Sequence, residues 1–247
     1  MDISSFSAHD LGLFWVWFNF LLYCLVFAFS LYANYNFNTV VVGLIYLVPL
    51  VPFGFDPVNL TRVILVSIQN TVFGVIELVI FVLTVKPNDA RFDSAHVKQF
   101  LGHTLPIAAA LIGLSYYARG NIVEVTCYEW WTILIVFLLG SLFRVLAVFQ
   151  LGRSGFKFDI VFREEQKLMT GQLYSWMRHP SYTAMMVVIF SYALTTHDFL
   201  AGSFGLIVAW CGFQYRIYHE EKALKQQFGE EYRLYRGRTG MWFPWRN

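Results

Sequence analysis

The most restrictive feature of this sequence is a run of 45 consecutive residues, 11–55, that contains no Asp, Glu, Lys or Arg. A water-exposed surface cannot be built from such a run, because soluble domains carry about 25% charged residues. The deficit extends along the whole chain, since its 247 residues are 57% hydrophobic and only 14% charged. These features exclude an ordinary soluble domain and predict burial in a lipid bilayer.

Hydrophobic segments long enough to form membrane helices recur along the sequence, because a spanning helix needs about 20 mostly apolar residues. The candidate segments are 11–33, 39–54, 62–85, 104–118, 129–151, 182–196 and 200–217. We therefore predict an all-α, polytopic integral membrane bundle with about seven spans, within a range of six to eight. The chain divides into N-terminal spans (1–150) and a polar-rich C-terminal region (151–247).

The C-terminal region has features of its own. A helix of 15 residues reaches only about 22 Å, so 182–196 and 200–217 predict a short tilted helical hairpin. From His219 onward, apolar and aromatic residues recur at spacings of four, four and three positions, which predicts an amphipathic cytoplasmic tail helix. These residues form one face of the helix and are Leu224, Phe228, Tyr232 and Tyr235.

Basic residues are concentrated late in the chain, where 13 of the 18 Lys and Arg residues lie at Arg144 or beyond. Because cytoplasmic loops carry an excess of Lys and Arg, we expect the loop 152–181 and the tail to face the cytoplasm. The segment 55–61 then lies on the opposite side. It contains the sequon Asn59-Leu60-Thr61, for which a turn is the preferred interpretation and glycosylation the alternative.

Several polar residues fall between or within the predicted spans. The segment 86–103 is rich in polar residues and predicts a solvent-facing connection. Glu77 and Arg144 lie inside spans, where a charge costs about 2.5–3.5 kcal/mol, and we favour a structural pairing over a catalytic role for each. The three cysteines are odd in number and far apart, so neither a disulfide framework nor a metal site is expected.

The densest polar segment is 174–182, with the sequence YSWMRHPSY, immediately before the short hairpin. Pro180 suits the first position of a helix and keeps His179 out of the helical region. An interfacial aromatic belt would explain Trp176 and Arg178, but it would not require a His-Pro junction. Further on, Arg216 and Glu220 are four residues apart and share one helix face.

Together these residues resemble the isoprenylcysteine carboxyl methyltransferase family. The resemblance rests on the YSWMRHPSY segment, on Arg216 with Glu220-Glu221, and on the later FGEEY segment, 228–232. It is clear over about 150–245 and faint over about 75–150. It implies an integral membrane enzyme that uses S-adenosylmethionine to methylate the C-terminal carboxylate of a prenylated cysteine.

The resemblance also implies roles for individual residues. Arg216 would bind the substrate carboxylate and, with Glu220, would act in catalysis. The cofactor would contact Gln166, Lys167, Leu168, Met169, Tyr174, His179, Pro180, Ser181, Tyr182 and Glu220. One position departs from the family pattern, because Gln172 stands where the family usually has Gly, and Gly171 comes one residue earlier.

The acceptor would be a farnesyl- or geranylgeranyl-cysteine at a protein C-terminus, with membrane lipid as the other partner and no nucleic acid. A carboxylate with a pKa near 3.3–3.7 is ionised at neutral pH, so His179 would serve as a cofactor ligand rather than a base. The resemblance also implies the endoplasmic reticulum, with the catalytic face in the cytoplasm. The alternatives are a phospholipid or other small-lipid methyltransferase and a non-catalytic membrane scaffold.

Overall fold

The computed structural model describes residues 8–52, 59–84, 94–155 and 167–244, which fold into an α-helical membrane bundle. The first half comprises α1 (Ala8–Ala33), α2 (Phe37–Leu47), a 3₁₀ turn (Val48–Leu50) and α3 (Leu60–Thr84). The second half comprises α4 (Ser94–Gln99), a π-helical turn (Phe100–Thr104), α5 (Leu105–Gly120), α6 (Cys127–Gly155), a 3₁₀ turn (Gln172–Ser175), α7 (Pro180–Thr195) and α8 (Phe199–Arg238).

Four helical segments are long and apolar enough to cross a membrane, as judged by their length and composition. They are Asp10–Ala33, Leu60–Thr84, His96–Gly120 and Cys127–Gly152, and the shorter apolar helices are Phe37–Leu50 and Pro180–Thr195. The segment Leu60–Thr84 is the most buried of the four, whereas α1 exposes side chains such as Phe14 and Leu25. Helix α3 therefore forms the centre of the bundle, and α1 presents an apolar face to lipid.

Helices α6 and α7 form the most extensive helix pair in the described part of the chain. Their close approach depends on Gly140, because a Cβ atom at that position would lie 2.9 Å from the backbone nitrogen of Val188. Small residues allow helices in membranes to approach closely. This contact fixes α7, whose N-terminus carries the His-Pro junction.

Asn59 caps the N-terminus of α3. Its Oδ1 accepts a hydrogen bond from the Arg62 backbone N–H at 3.2 Å, and its Nδ2 donates to the Val123 carbonyl at 2.8 Å. Asn is among the preferred N-cap residues because its side chain satisfies an unpaired helix N–H. The side-chain nitrogen to which a glycan would be attached is thus engaged in the fold, in agreement with the preferred turn interpretation.

Two sequence expectations require correction. The segment 86–103 was expected to be a solvent-facing connection, but its described part, 94–103, is helical and buries His103, because α4 and the π-helical turn continue directly into α5. The tail helix was expected to be separate from the hairpin, but α8 continues from Phe199 past His219. Its break lies at Gly229, where φ is +51°, a conformation that favours glycine.

Candidate active site

The candidate site begins at the junction between the 3₁₀ turn and α7. His179 has a non-helical conformation (φ −124°, ψ 54°) and caps α7, while Pro180 occupies the first turn, as the sequence predicts. A strap formed by residues 239–242 holds the junction from outside. The backbone N–H groups of Arg178 and His179 donate to the carbonyls of Gly240 (2.9 Å) and Met241 (3.2 Å). The junction is therefore fixed by its own chain and by the C-terminal segment.

Arg216 and Glu220 lie one helical turn apart on α8, beside the start of α7. The Arg216 Nε donates to Glu220 Oε1 at 3.2 Å and to the Tyr182 hydroxyl at 3.2 Å. The Tyr182 hydroxyl in turn donates to Glu220 Oε1 at 2.8 Å. Arg216 is only 2% exposed, so this closed set of contacts fixes the plane of a buried guanidinium group.

Two carboxylates flank the ring of His179. Its Nδ1 lies 3.7 Å from Glu220 Oε2, and its Nε2 lies 3.4 Å from Glu221 Oε1. Arg178 Nε also donates to Glu221 Oε1 at 2.7 Å. Burial acts to raise the pKa of Glu221, but hydrogen bonds from His179 and Arg178 outweigh it and lower the pKa to about 2. Glu221 therefore stays ionised and anchors both neighbours.

A second arginine lies across from Arg216. Arg144 Nε and Nη2 donate to the two carboxylate oxygens of Glu77 at 2.8 and 3.0 Å, and its Nη1 donates to the Ser181 hydroxyl. The structural pairing expected for Glu77 and Arg144 is thus confirmed, with each as the other's partner. The bidentate pair connects α3 and α6 to the second residue of α7.

These groups surround a cavity of about 70 Å³ inside the bundle. Arg144, Arg216, Glu77, His103 and Tyr182 form its polar part. Its apolar part comes mainly from α2, α3, α5 and α7, and consists of Val42, Ile45, Phe81, Ile107, Leu111 and Met185. The cavity therefore joins two guanidinium groups to an apolar wall, an arrangement suited to an anionic headgroup on a hydrophobic molecule.

The other residues that the sequence proposed lie around this centre. Ser181 and Pro180 are buried at the start of α7, and Lys167 is exposed, with Leu168 and Met169 half-buried. The Tyr174 hydroxyl donates to the Ala147 carbonyl at 3.1 Å, so that group contributes to packing against α6. Gln166 lies outside the described residues.

Sequence reasoning missed His103, which reaches the cavity from the π-helical turn. Its Nδ1 lies 3.2 Å from the Gly212 carbonyl, and its ring contacts Tyr182 and Phe213. A π-helical turn inside a helix often marks a functional site. The available signal was a histidine directly before an apolar run, but its polar neighbours favoured a loop.

With this geometry in place, comparison with known proteins identifies the region. Residues 132–226 match the model of the isoprenylcysteine carboxyl methyltransferase family. Over that region the chain matches this family. A protein-S-isoprenylcysteine O-methyltransferase B of Arabidopsis thaliana is 34% identical over 124 residues, which cover 48% of this chain and 62% of the relative. The human protein-S-isoprenylcysteine O-methyltransferase is 27% identical over 166 residues, covering 64% of this chain and 56% of the relative.

The fold also resembles a solved structure, that of the eukaryotic intramembrane Ras methyltransferase of the same family name. The TM-score is 0.52, with 19% identity, and the match covers 92% of this chain and 84% of the other. The matches to the curated relatives extend over less than two thirds of those proteins. The structural likeness therefore concerns the helical membrane fold, and the match to the family model concerns residues 132–226.

Proposed function

We propose that this protein is a membrane methyltransferase that transfers a methyl group from S-adenosylmethionine to the C-terminal carboxylate of a prenylated cysteine. The observation that carries the proposal is the position of Arg216, which is buried, held in one plane and placed at the polar end of a cavity with an apolar wall. The similarity to protein-S-isoprenylcysteine O-methyltransferases of Arabidopsis thaliana and Homo sapiens supports the same chemistry.

Arg216 is suited to hold the acceptor. A guanidinium group binds a carboxylate through a rigid planar fork, and that fork is useful only when its plane is fixed. Glu220 and Tyr182 fix the plane through the Arg216 Nε. Because Arg144 is already bound in bidentate fashion by Glu77, Arg216 is the stronger candidate for the substrate carboxylate.

The size of the cavity indicates which part of the proposed substrate it can hold, the carboxylate or the prenyl tail. A cavity needs about 10–15 Å³ of space accessible to a water-sized probe to hold one water molecule, so a cavity of about 70 Å³ accommodates a group of only a few heavy atoms. A carboxylate fits this space, but a farnesyl or geranylgeranyl chain does not. We infer that the prenyl tail lies along the apolar wall and continues between helices into lipid.

The residues on the aqueous side of Arg216 fit a small zwitterionic cofactor. Glu220 is 23% exposed, and its Oε2 lies 3.7 Å from His179 Nδ1, so this oxygen can accept a hydrogen bond from an ammonium group. The buried Trp242 Nε1 has no hydrogen-bond partner in the described part of the chain, which leaves a donor for a polar ligand. S-adenosylmethionine would supply a methyl group activated on a sulfonium. Lys167, Leu168, Met169, Tyr174 and Pro180 to Tyr182 remain proposed cofactor contacts.

The residues would promote transfer by alignment and removal of water rather than by proton transfer. The acceptor carboxylate is already ionised at neutral pH, so no general base is needed. Holding two reactants in one geometry can supply about 7–11 kcal/mol of the barrier. His179, whose Nε2 lies 3.4 Å from Glu221 and whose Nδ1 lies 3.7 Å from Glu220, remains a proposed cofactor contact rather than a base.

We propose that the site faces the cytoplasm, because exposed basic residues cluster at this end of the bundle and follow the positive-inside rule. Lys167, Lys222 and Lys225 are exposed there. The endoplasmic reticulum is the membrane that the family resemblance implies.

The test compares acceptors and arginines in the purified full chain. Wild-type protein should methylate farnesylcysteine but not phosphatidylethanolamine, measured by transfer of a radiolabelled methyl group. Arg216→Ala should lower kcat/KM by about 100-fold or more, because it removes the partner of a buried charge. Binding of S-adenosylhomocysteine should stay within a few-fold of wild type.

The matched control is Arg233→Ala, which removes an arginine that is 74% exposed on the same helix and should leave turnover unchanged. Methylation of phosphatidylethanolamine instead of farnesylcysteine would establish a lipid methyltransferase. Absence of S-adenosylhomocysteine binding in wild-type protein would favour a non-catalytic scaffold.

A further inference from the structure

A second cavity, of about 500 Å³, lies at the end of the bundle opposite the candidate active site. It is formed where α6 begins, α7 ends and α8 begins, a place that the proposed methyl transfer does not use. Its volume is within the range of about 300–1,000 Å³ that is typical of ligand pockets. Cavities of this size with mixed polarity are suited to an amphiphilic molecule.

The polar groups of this cavity are confined to one end. Glu129, His197 and Asp198 lie at helix ends, which in a membrane bundle are close to the headgroup region. Deeper positions along the same helices contribute apolar side chains, among them Ile133, Phe190, Leu194 and Leu206. This order matches a lipid lying with its headgroup at the rim and a chain along the groove.

The rim is acidic, since the carboxylates of Glu129 and Asp198 both line it. The charge of Glu129 is balanced within the protein, because the buried Arg62 pairs with its Oε1 at 3.1 Å and His197 Nδ1 lies 3.1 Å from the same oxygen. Asp198 instead accepts hydrogen bonds from two uncharged donors, the Tyr117 hydroxyl at 2.5 Å and the Ala201 N–H at 2.9 Å. Asp198 is therefore the group that makes the rim complementary to a cation.

Exposed aromatic rings accompany these carboxylates. Tyr128 is 88% exposed and Phe199 is 86% exposed, and both line the cavity. Aromatic faces beside carboxylates are the arrangement that recognises quaternary ammonium groups through cation–π attraction. A primary ammonium or a sugar headgroup would make less use of these rings.

We propose that this cavity binds phosphatidylcholine, with the choline ammonium group at Asp198, Tyr128 and Phe199 and one acyl chain along Ile133, Phe190 and Leu206. The site is independent of the proposed methyl transfer, because the two cavities share no lining residue. A lipid at this position would fill the space between α6, α7 and α8 and pack against the C-terminal end of α7.

The experiment uses native mass spectrometry of the detergent-purified full chain with an equimolar mixture of three lipids. These are phosphatidylcholine, phosphatidylethanolamine and phosphatidylglycerol with identical acyl chains. Cation–π attraction of about 0.5–1 kcal/mol plus charge pairing predicts retention of phosphatidylcholine on the order of fivefold over phosphatidylglycerol. Preference over phosphatidylethanolamine should be smaller but measurable.

Two variants locate the site. Ser203→Trp should fill the cavity and abolish the preference, whereas Ile207→Trp, on the same helix but 60% exposed, should retain it. Asp198→Asn keeps an acceptor for the Ala201 N–H at the start of α8 but removes the charge, and should lower the preference even where Ser203→Trp does not fold. Equal retention of the three lipids, a preference for phosphatidylethanolamine, or an unchanged preference in Asp198→Asn would overturn the proposal.

Discussion

The two ends of the bundle each bury arginines, but the partners of those arginines differ. Opposite the candidate site, Arg62 donates to the carbonyls of Val123 and Thr195, and Arg119 donates to the carbonyls of Pro49 and Val51. These carbonyls belong to helix ends and turns, where backbone acceptors lack partners within a helix. Arginine at this end therefore completes the backbone hydrogen bonding of the fold.

At the candidate site, the arginines are bound by side chains and line a cavity. Arg216 is held by Glu220 and Tyr182, and Arg144 is held by Glu77 and Ser181. Equal burial thus accompanies two different sets of partners. Backbone carbonyls are the main acceptors at the opposite end, where Arg62 also pairs with Glu129, whereas side chains hold Arg216 and Arg144 beside the cavity that they line.

The largest expected effect is a loss of folding stability when the buried Arg62, at the end opposite the candidate site, is replaced. Arg62→Met leaves two carbonyls and Glu129 without their donor, and removal of one partner from a buried ion pair costs about 3–5 kcal/mol. We expect the melting temperature in detergent to fall by about 10 °C or more, while methyl transfer per folded molecule stays near wild type. Arg216→Ala should show the opposite pattern, because Glu220 is 23% exposed and keeps Tyr182 as a donor. Similar melting of Arg62→Met and wild type would remove the distinction.

The next largest effect is the pH dependence of folding stability that Glu221 contributes at the candidate site. The folded-state pKa of Glu221 is lowered from 4.5 to about 2, so its contribution to stability is present above about pH 4.5 and is lost as the pH falls toward 2. The contribution is about 2–3 kcal/mol. We expect Glu221→Gln to melt below wild type at pH 7, with the difference shrinking between pH 4.5 and 3.

The control for this measurement is Glu230→Gln, because Glu230 is 63% exposed on the same helix and should give a small, nearly constant difference. A gap between Glu221→Gln and wild type that persists unchanged at pH 3 would contradict the assignment.

The smallest effect concerns backbone conformation. Among the residues that the structure describes, each end has one non-glycine residue in the left-handed region, Gln172 (φ +54°) near the site and His197 (φ +50°) opposite. Because that conformation costs roughly 1 kcal/mol for a residue with a Cβ atom, Gln172→Gly should stabilise the fold by about that amount. Gln172→Ala keeps the Cβ atom and should not. Equal melting of the two variants would show that the gain has another cause.

Local relations in the sequence were sufficient for much of the site. Proline at the first turn of α7 placed His179 outside the helix, and the four-residue spacing placed Arg216 beside Glu220; both are confirmed. The place where the family usually has glycine coincides with the positive φ of Gln172. These features follow from covalent geometry and helix periodicity, which act within a few residues.

Long-range relations were not accessible in this way. Glu77 and Arg144 are separated by 67 positions, and Arg178 and Glu221 by 43, so no periodicity links them. The strap of 239–242 against the His-Pro junction has no local signal either. His103 was assigned to a loop because its sequence neighbours are polar, whereas its position in the cavity depends on α8.

By itself, the sequence determined that the chain is embedded in a lipid bilayer, since a run of 45 residues without Asp, Glu, Lys or Arg cannot form a water-exposed surface. It also determined the helical segments and the local geometry around Pro180 and Arg216. Only the tertiary structure decided which buried arginines line the candidate site and which donate mainly to backbone carbonyls. The reason is physical: a buried charge must find a partner, and that partner is supplied by whichever helix packs beside it.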